Sequence, residues 1–134
     1  MAYEYPQDIL FRHCDPARIV FFPRYFEMMN DCVEGFFANV LHWPFFDVHK
    51  DHAVPTAQIN CRFAAPSHHG DRLTLHLRVK RVGRTSVSYV MQALCESELR
   101  FETEATLVYV DKVGTPTVWP ERIKQELMRL SKKE

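Results

Sequence analysis

Apolar side chains recur along this chain with two different spacings, and these spacings predict its helices and strands. From Pro23 to about Leu41 apolar side chains recur every three or four residues, at positions 22, 25, 26, 29, 32, 33, 36, 37 and 40, which is the spacing of an amphipathic helix. Pro23 stands at or near the first helical position, where its missing N–H is harmless. The apolar stripe is wide and rich in phenylalanine, so this helix needs a large partner surface such as a curved sheet.

Most of the remaining chain predicts β-strands. Apolar and polar residues alternate over residues 73–80, 86–93 and 101–109, which is the period of a strand with one buried face. Further elements are a strand region over residues 53–65, a shorter N-terminal strand within residues 4–14 and a C-terminal helix over residues 120–132. Consecutive strands joined by short turns favour antiparallel pairing. We therefore expect an α+β fold in which an antiparallel five-stranded sheet wraps around one long central helix.

Composition narrows the classes of protein that remain. Neither a repeat nor a linker divides the chain, so residues 1–134 are expected to form a single domain. Seventeen basic residues balance seventeen acidic ones, which gives no support for a nucleic-acid or membrane-surface partner. The sequence shows no secretory signal, no long apolar span and no Cys-x-x-Cys pair among its four cysteines. These features predict a cytoplasmic protein with reduced, mostly buried thiols and no cofactor.

One segment carries a specific motif. Residues 11–27 read Phe-Arg-His-Cys-Asp-Pro-Ala-Arg-Ile-Val-Phe-Phe-Pro-Arg-Tyr-Phe-Glu. This run resembles the signature of the 4-hydroxybenzoyl-CoA thioesterase family, in which Asp-x-x-Gly-Ile-Val, two aromatic residues and Pro-x-Tyr join the first strand to the central helix. The Gly70-Asp71-x-Leu73 and Gly83-Arg84-Thr85-Ser86 segments are similar to two turns of the same fold.

The resemblance implies a hotdog fold, an acyl-CoA substrate with an aromatic acyl group as one candidate, and a homodimer or homotetramer. It also implies that Asp15 corresponds to the catalytic carboxylate and that the backbone N–H of Phe22 polarises the thioester carbonyl. Arg18, Pro23 and Tyr25 would then lie beside the substrate. By the same resemblance Gly83, Arg84 and Thr85 would contact the nucleotide of CoA, whose phosphates need cationic partners.

Physical chemistry supports this assignment of Asp15 and Phe22. The first N–H groups of a helix have no internal acceptor, and the helix dipole favours negative charge there. A thioester carbonyl oxygen acquires such a charge when its carbon is attacked. A carboxylate a few residues upstream can attack directly or activate a water molecule, and the sequence does not separate these routes. The competing interpretation is that Asp15 is a turn aspartate before a proline.

Arg18 is the main departure from the family motif, because glycine usually follows Asp-x-x there. Glycine permits a positive φ and a close approach of substrate. Arg18 therefore either tolerates another turn or reshapes the mouth of the pocket, where its charge would attract CoA phosphates. If its side chain blocked the pocket, the protein would be a non-catalytic acyl-CoA-binding module.

Other candidate sites receive less support. In an extended backbone His13 and Asp15 would share one face, and a protonated His13 would help to keep Asp15 ionised. His68, His69, Asp71 and His76 lack the spacing of a metal site and are better interpreted as solvated loop residues. An acyl-thioester dehydratase or hydratase shares the fold, but a His-Phe-Pro-Gly motif of that class is missing from the sequence.

Overall fold

The structure, a computed structural model, describes residues 2–132. The strands are β1 (Tyr3–Asp8), β2 (His52–Ala53), β3 (Thr56–Phe63), β4 (Arg72–Val82), β5 (Ser86–Cys95), β6 (Glu98–Val108) and β7 (Val110–Asp111). The helices are α1 (Pro23–Asn39), α2 (Phe45–Val48) and α3 (Glu121–Ser131). Five strands form one antiparallel sheet in the order β1-β4-β5-β6-β3, and β2 pairs with β7 in a small second sheet.

Helix α1 packs against one face of the five-stranded sheet, as the hydrophobic periods predict. Its buried residues are Tyr25, Met28, Met29, Cys32, Val33, Phe36 and Phe37. The strands meet this face with alternating side chains, namely Leu73, Leu75, Leu77 and Val79 from β4 and Val87, Tyr89, Met91 and Ala93 from β5. The opposite face is polar and carries ion pairs such as Lys80–Glu104, 2.7 Å apart. The predicted α+β hotdog architecture is therefore confirmed.

Two strand predictions need correction. The N-terminal strand ends at Asp8, and residues Phe11–His13 form a 3-10 helix instead of extending it. The Leu10 N–H donates to His13 Nδ1 at 2.8 Å and the His13 N–H donates to the Leu10 carbonyl at 3.0 Å, which closes a tight turn. The region 53–65 contains two strands, because Pro55 has no N–H for a ladder and separates β2 from β3.

The sheet has two edges that matter for assembly. Strand β1 forms one edge and β3 the other. Most of β3 is exposed, including the apolar side chains of Ile59 and Phe63. None of the helices within residues 2–132 is both long and apolar enough to cross a membrane.

The four cysteines are free thiols, and one of them is fully buried. Burial raises the pKa of the Cys32 thiol to about 12. Cys14, Cys61 and Cys95 are half-buried, so the expectation of mostly buried thiols holds only for Cys32.

Candidate active site

Asp15 lies in a short hairpin between the 3-10 helix and α1. An isolated bridge pairs Cys14 with Val20, and the Asp15 N–H donates to the Ile19 carbonyl at 3.0 Å. The Val20 N–H donates to the Ser67 carbonyl at 2.9 Å, which ties the hairpin to the turn that precedes β4. Backbone pairing thus holds the motif in a fixed place at one end of the sheet.

The side chain of Asp15 uses one oxygen for the turn and leaves the other free. Oδ1 accepts the Ala17 N–H at 2.9 Å, and the Asp15 carbonyl accepts the Arg18 N–H at 2.8 Å. Within residues 2–132, Oδ2 has no hydrogen-bond or ion-pair partner. The carboxylate is half-exposed. The turn role and a chemical role are therefore compatible, since they use different oxygens.

The backbone conformation of Arg18 explains why the family motif usually has glycine at this position. Its φ is 70°, in the left-handed region where glycine is strain-free and other residues pay a steric cost. The hairpin thus keeps its shape, and the exposed Arg18 side chain lies at the rim of a depression beside Asp15. A role for this side chain in reshaping the mouth of the pocket stays a prediction.

Helix α1 offers a free N–H at its start. Phe22 is the residue before the helix, and Pro23, the first helical residue, has no N–H. The Arg24 N–H donates to the Phe21 carbonyl at 2.8 Å and the Tyr25 N–H to the Phe22 carbonyl at 3.0 Å. In the described part of the chain, only the Phe22 N–H of this first turn lacks an acceptor. It is therefore available to an oxygen of a bound molecule.

Asp15 and Phe22 border two neighbouring depressions. Asp15 lines the outer one with Phe11, Cys14, Pro16, Arg18 and His69. Phe22 lines the inner one with Ile19, Val20, Tyr25 and residues 63–66 of the segment after β3. Asp15 and Phe22 therefore line different depressions.

A buried ion pair supports the hairpin from behind. The guanidinium of Arg100 donates through Nη1 to Asp71 Oδ2 at 2.7 Å, to Ser67 Oγ at 3.1 Å and to the Pro66 carbonyl at 3.2 Å. The Arg100 hydrogen bond to Asp71, together with one that the His68 N–H donates to Asp71 Oδ2, holds the pKa of Asp71 below its usual range. Because the Ser67 carbonyl anchors Val20, this ion pair fixes the place of the loop that leads into Phe22.

Comparison with known proteins decides the family. The profile of the Thioesterase-like superfamily matches residues 9–127, which is most of the chain. The chain belongs to the Thioesterase-like superfamily. Its resemblance to the 4-hydroxybenzoyl-CoA thioesterase family is thereby confirmed at this level. A search of curated protein sequences finds no match.

Solved structures share the fold of this thioesterase-like chain at low sequence identity. A 1,4-dihydroxy-2-naphthoyl-CoA thioesterase from Synechocystis is 18% identical over 97% of this chain and 98% of its own, with a TM-score of 0.88. The gentisyl-coenzyme A thioesterase BH1999 is 18% identical over 93% and 99%, with a TM-score of 0.86. Protein SAV2348 from Staphylococcus aureus, solved with CoA, is 12% identical over 100% and 86%, with a TM-score of 0.91.

The predicted nucleotide turn lies far from Asp15 within one chain of this thioesterase-like protein. Strand β4 has eleven residues and separates Asp71, near the hairpin, from Gly83. At a rise of about 3.3 Å per residue, the two ends are about 33 Å apart. The Gly83 N–H donates to the Ser86 carbonyl at 2.8 Å and closes this tight turn. Arg84 is exposed, and Thr85 accepts the Tyr109 N–H through its carbonyl at 2.8 Å.

Tyr25 presents its ring to the inner depression. Its ring lines the inner depression and stacks on Phe63, with ring centroids 5.7 Å apart, but its hydroxyl is buried near Ser67. Burial raises the pKa of this phenol and the neighbouring Ser67 opposes that rise, although the hydroxyl makes no well-aligned hydrogen bond in the described residues. Tyr25 therefore offers a ring face, and not a hydroxyl, to the depression.

His13 does not accompany Asp15. The expected extended backbone is wrong here, because His13 ends the 3-10 helix and is buried, with its Nδ1 accepting the Leu10 N–H. Burial and the neighbouring Arg12 and Arg24 lower its pKa, which opposes the protonated form invoked for Asp15. Across residues 2–132, no three His, Cys, Asp or Glu side chains converge as a metal site would require.

Sequence reasoning missed the partner of Asp71 behind the site. The Gly70-Asp71 turn resembles a family turn, yet the partner of Asp71 is Arg100, which no local motif marks. Only the burial of Arg100 reveals this ion pair.

Proposed function

We propose that this chain, as a single hotdog domain over residues 1–134, hydrolyses an acyl-CoA thioester to a free acid and CoA. The observation that carries the proposal is the unpaired N–H of Phe22 at the start of α1, held beside the hairpin that presents the free oxygen of Asp15. The family assignment and the thioesterases among its structural neighbours support the same reaction class.

In this proposal the Phe22 N–H donates to the thioester oxygen as it becomes an oxyanion. The helix dipole adds to that stabilisation, and such a donor is typically worth on the order of 10²–10³ in rate. Asp15 acts by one of two routes. It attacks the carbonyl carbon, expels CoA as a thiolate and forms a mixed anhydride that water hydrolyses, or it removes a proton from an attacking water.

Binding of the CoA moiety is assigned to both ends of the sheet. Arg18 stands at the rim beside Asp15, and its guanidinium suits a phosphate. The Tyr25 ring lines the inner depression around the thioester, and Pro23 begins the helix next to Phe22. Gly83, Arg84 and Thr85 take the nucleotide, which requires a second chain because they lie about 33 Å from the Asp15 end.

A homodimer through the β3 edge provides that second chain. The edge strand has unpaired backbone groups and exposes Ile59 and Phe63. Antiparallel pairing about a two-fold axis would bring the Phe63 end of one β3 next to the Thr56 end of the other. Thr56 and Thr85 lie at the same end of the sheet, because the Val108 N–H donates to the Pro55 carbonyl and the Tyr109 N–H donates to the Thr85 carbonyl. Pairing therefore brings the basic turn of one chain toward Asp15 of the other chain. Association into a homotetramer would need a further surface.

A panel of varied acyl-CoA thioesters, read by release of free thiol, tests this proposal. We expect hydrolysis by the parent protein and a loss of at least 10²-fold in kcat for Asp15→Asn, the scale of a general base or nucleophile. Asp31→Asn, on the exposed side of α1, is the matched control and should keep the parental rate.

Three results would redirect the assignment. An undiminished rate in Asp15→Asn removes Asp15 from the chemistry. CoA binding without hydrolysis of any thioester would identify a non-catalytic acyl-CoA-binding module. Loss of enoyl-CoA absorbance without free thiol would identify a hydratase.

A further inference from the structure

His13 connects two parts of the backbone on either side of the Asp15 hairpin. Its N–H donates to the Leu10 carbonyl at 3.0 Å, and its Nδ1 accepts the Leu10 N–H at 2.8 Å. Its carbonyl accepts the Phe21 N–H at 2.9 Å. One residue therefore closes the turn before the hairpin and also holds the residue that precedes Phe22.

The start of α1 depends on the same contact. The Phe21 carbonyl accepts the Arg24 N–H at 2.8 Å, so Phe21 is held by His13 on one side and by the first turn of the helix on the other. The Phe22 N–H follows directly, and Asp15 lies two residues after His13. A displacement of His13 would therefore move both groups, and a misplacement of about 1 Å can lower a rate about 10²-fold.

The hydrogen bond from Leu10 requires a neutral His13 ring. An acceptor nitrogen carries a free lone pair, so the proton of the neutral imidazole is on Nε2. In the protonated ring both nitrogens are donors, and Nδ1–H would face the Leu10 N–H. His13 is only 3% exposed, so the imidazolium would also lose most of its hydration.

Charged groups around the ring do not compensate for this loss. Arg12 faces it from its own turn, and Arg24, Glu27 and Asp31 face it from α1. Arg24 and Glu27 pair with each other at 3.2 Å, and within residues 2–132 neither carboxylate forms an ion pair with the ring. Burial, followed by the two arginines, lowers the pKa of His13. The surroundings thus favour the neutral ring that the hydrogen bond needs.

We propose that neutral His13 is a positioning residue for Asp15 and the Phe22 N–H, and that its protonation in mild acid breaks the contact with Leu10 and lowers the rate. This inference rests on the proposed hydrolysis, since it names a pH control of the same site. His13 acts through the backbone of Leu10 and Phe21.

The pH profile of kcat tests this control. The substrate is the thioester of the panel that the parent hydrolyses fastest, measured from about pH 5 to about pH 8, which spans the ordinary histidine pKa of about 6.5. We expect a constant kcat near neutral pH and a decrease of about tenfold below that ordinary pKa, the scale of one lost hydrogen bond. Because the folded protein favours the neutral ring, the midpoint should lie on the acid side of it.

Two variants assign the decrease to the Nδ1 contact. In His13→Asn the side-chain oxygen takes the place of Nδ1 and accepts the Leu10 N–H at every pH of the series. This conservative variant should keep kcat within about threefold of the parent at neutral pH and lose the acid decrease. His13→Leu has no acceptor and should lower kcat at least tenfold even at neutral pH.

His76→Asn is the matched control. His76 lies on the outer face of β4, 3.8 Å from Glu4, so this variant should keep the parental profile. A decrease that came from the Asp15 carboxyl would persist in His13→Asn. An acid decrease of the same size and midpoint in the parent and in His13→Asn therefore overturns the inference and leaves the thioesterase proposal intact.

Nuclear magnetic resonance separates this inference from the proposed reaction, because it needs no turnover. Imidazole nitrogen spectra report the tautomer, and the signal that is missing in His13→Asn belongs to His13. We expect the proton on Nε2 at neutral pH, and the backbone amide signals of Phe21 and Phe22 should shift as His13 titrates.

The same shifts should be missing in His13→Asn. A proton on Nδ1 at neutral pH, or a Phe22 signal that does not follow the ring, overturns the positioning role. If no thioester is hydrolysed while both amide signals follow His13, the positioning stands and the proposed reaction is removed.

Discussion

Arg100→Met is the sharpest test of how this fold supports its candidate site. The side chain of Arg100 is 10% exposed and that of Asp71 is 26% exposed, with 2.7 Å between Nη1 and Oδ2. Methionine keeps the apolar stem but removes the cation and its four hydrogen bonds, to Asp71, Glu98, Ser67 and the Pro66 carbonyl. Asp71 is then left with the His68 N–H as its main partner.

Removing one member of a buried ion pair typically costs 3–5 kcal/mol. Water reaches part of Asp71 and lessens the cost, so we expect a loss of about 3 kcal/mol in the free energy of unfolding. For a domain of this length each kcal/mol shifts Tm by roughly 4 °C, which gives a decrease of about 12 °C. The Ser67 carbonyl accepts the Val20 N–H and so holds the loop that leads into Phe22. At temperatures below the new Tm we therefore expect kcat to fall by a larger factor than KM rises.

Thermal unfolding followed by circular dichroism, at one fixed protomer concentration, measures the first effect. Arg62→Met is the matched control, because Arg62 pairs with Glu102 on the exposed face and such pairs contribute less than about 1 kcal/mol. If Arg100→Met lowers Tm no more than Arg62→Met does, the buried pair does not stabilise this turn.

The pH dependence has a defined sign. The folded pKa of Asp71 is below its unfolded value of about 3.9, so the ion pair stabilises the protein fully above that value. The contribution is lost as the pH falls through the lowered folded pKa. Parent and Arg100→Met should therefore differ most near neutral pH, and their difference should shrink in strong acid.

Two smaller predictions follow from the hairpin and the first turn of α1. Arg18→Gly should keep the free energy of unfolding within about 1 kcal/mol of the parent, because relief of the positive φ offsets the extra entropy of the unfolded chain. Arg18→Val should lower the free energy of unfolding by more than about 1 kcal/mol. Urea unfolding of both variants measures the difference. Tyr25→Phe should keep or raise Tm, because it removes a buried hydroxyl without a partner, and a drop of several degrees would mean that the hydroxyl is satisfied in solution.

Periodicity predicts most of this fold because burial on one face leaves a regular trace in the sequence. The alternation over residues 73–80 is observed as the buried Leu73, Leu75, Leu77 and Val79 of β4, and the stripe from residue 22 becomes the inner face of α1. Pro55 explains the one place where a predicted strand divides. Local hydrophobic patterns were sufficient to predict an element wherever one of its faces is buried along its whole length.

The candidate site is less predictable because it departs from that regularity. In β6, Arg100 and Phe101 are both buried although they are consecutive, since the register between β5 and β6 shifts at Ala93 and Leu94. Such a bulge turns two neighbouring residues toward one side, and no alternation rule marks it. The hairpin around Asp15 likewise depends on a positive φ at Arg18, which residue type argues against.

The proposed division of the site between the two ends of β4 would explain the exposed β3 edge. A single chain presents the carboxylate and the helix N–H at one end, and its basic turn about 33 Å away at the other. It also leaves Ile59 and Phe63 exposed, although Phe63 borders the inner depression beside Phe22. In the proposed dimer one pairing covers this apolar edge and brings the second basic turn toward Asp15. Burial of the edge, binding of the acyl group and recognition of CoA would then depend on the same contact, so a change that weakens β3 pairing would impair all three together.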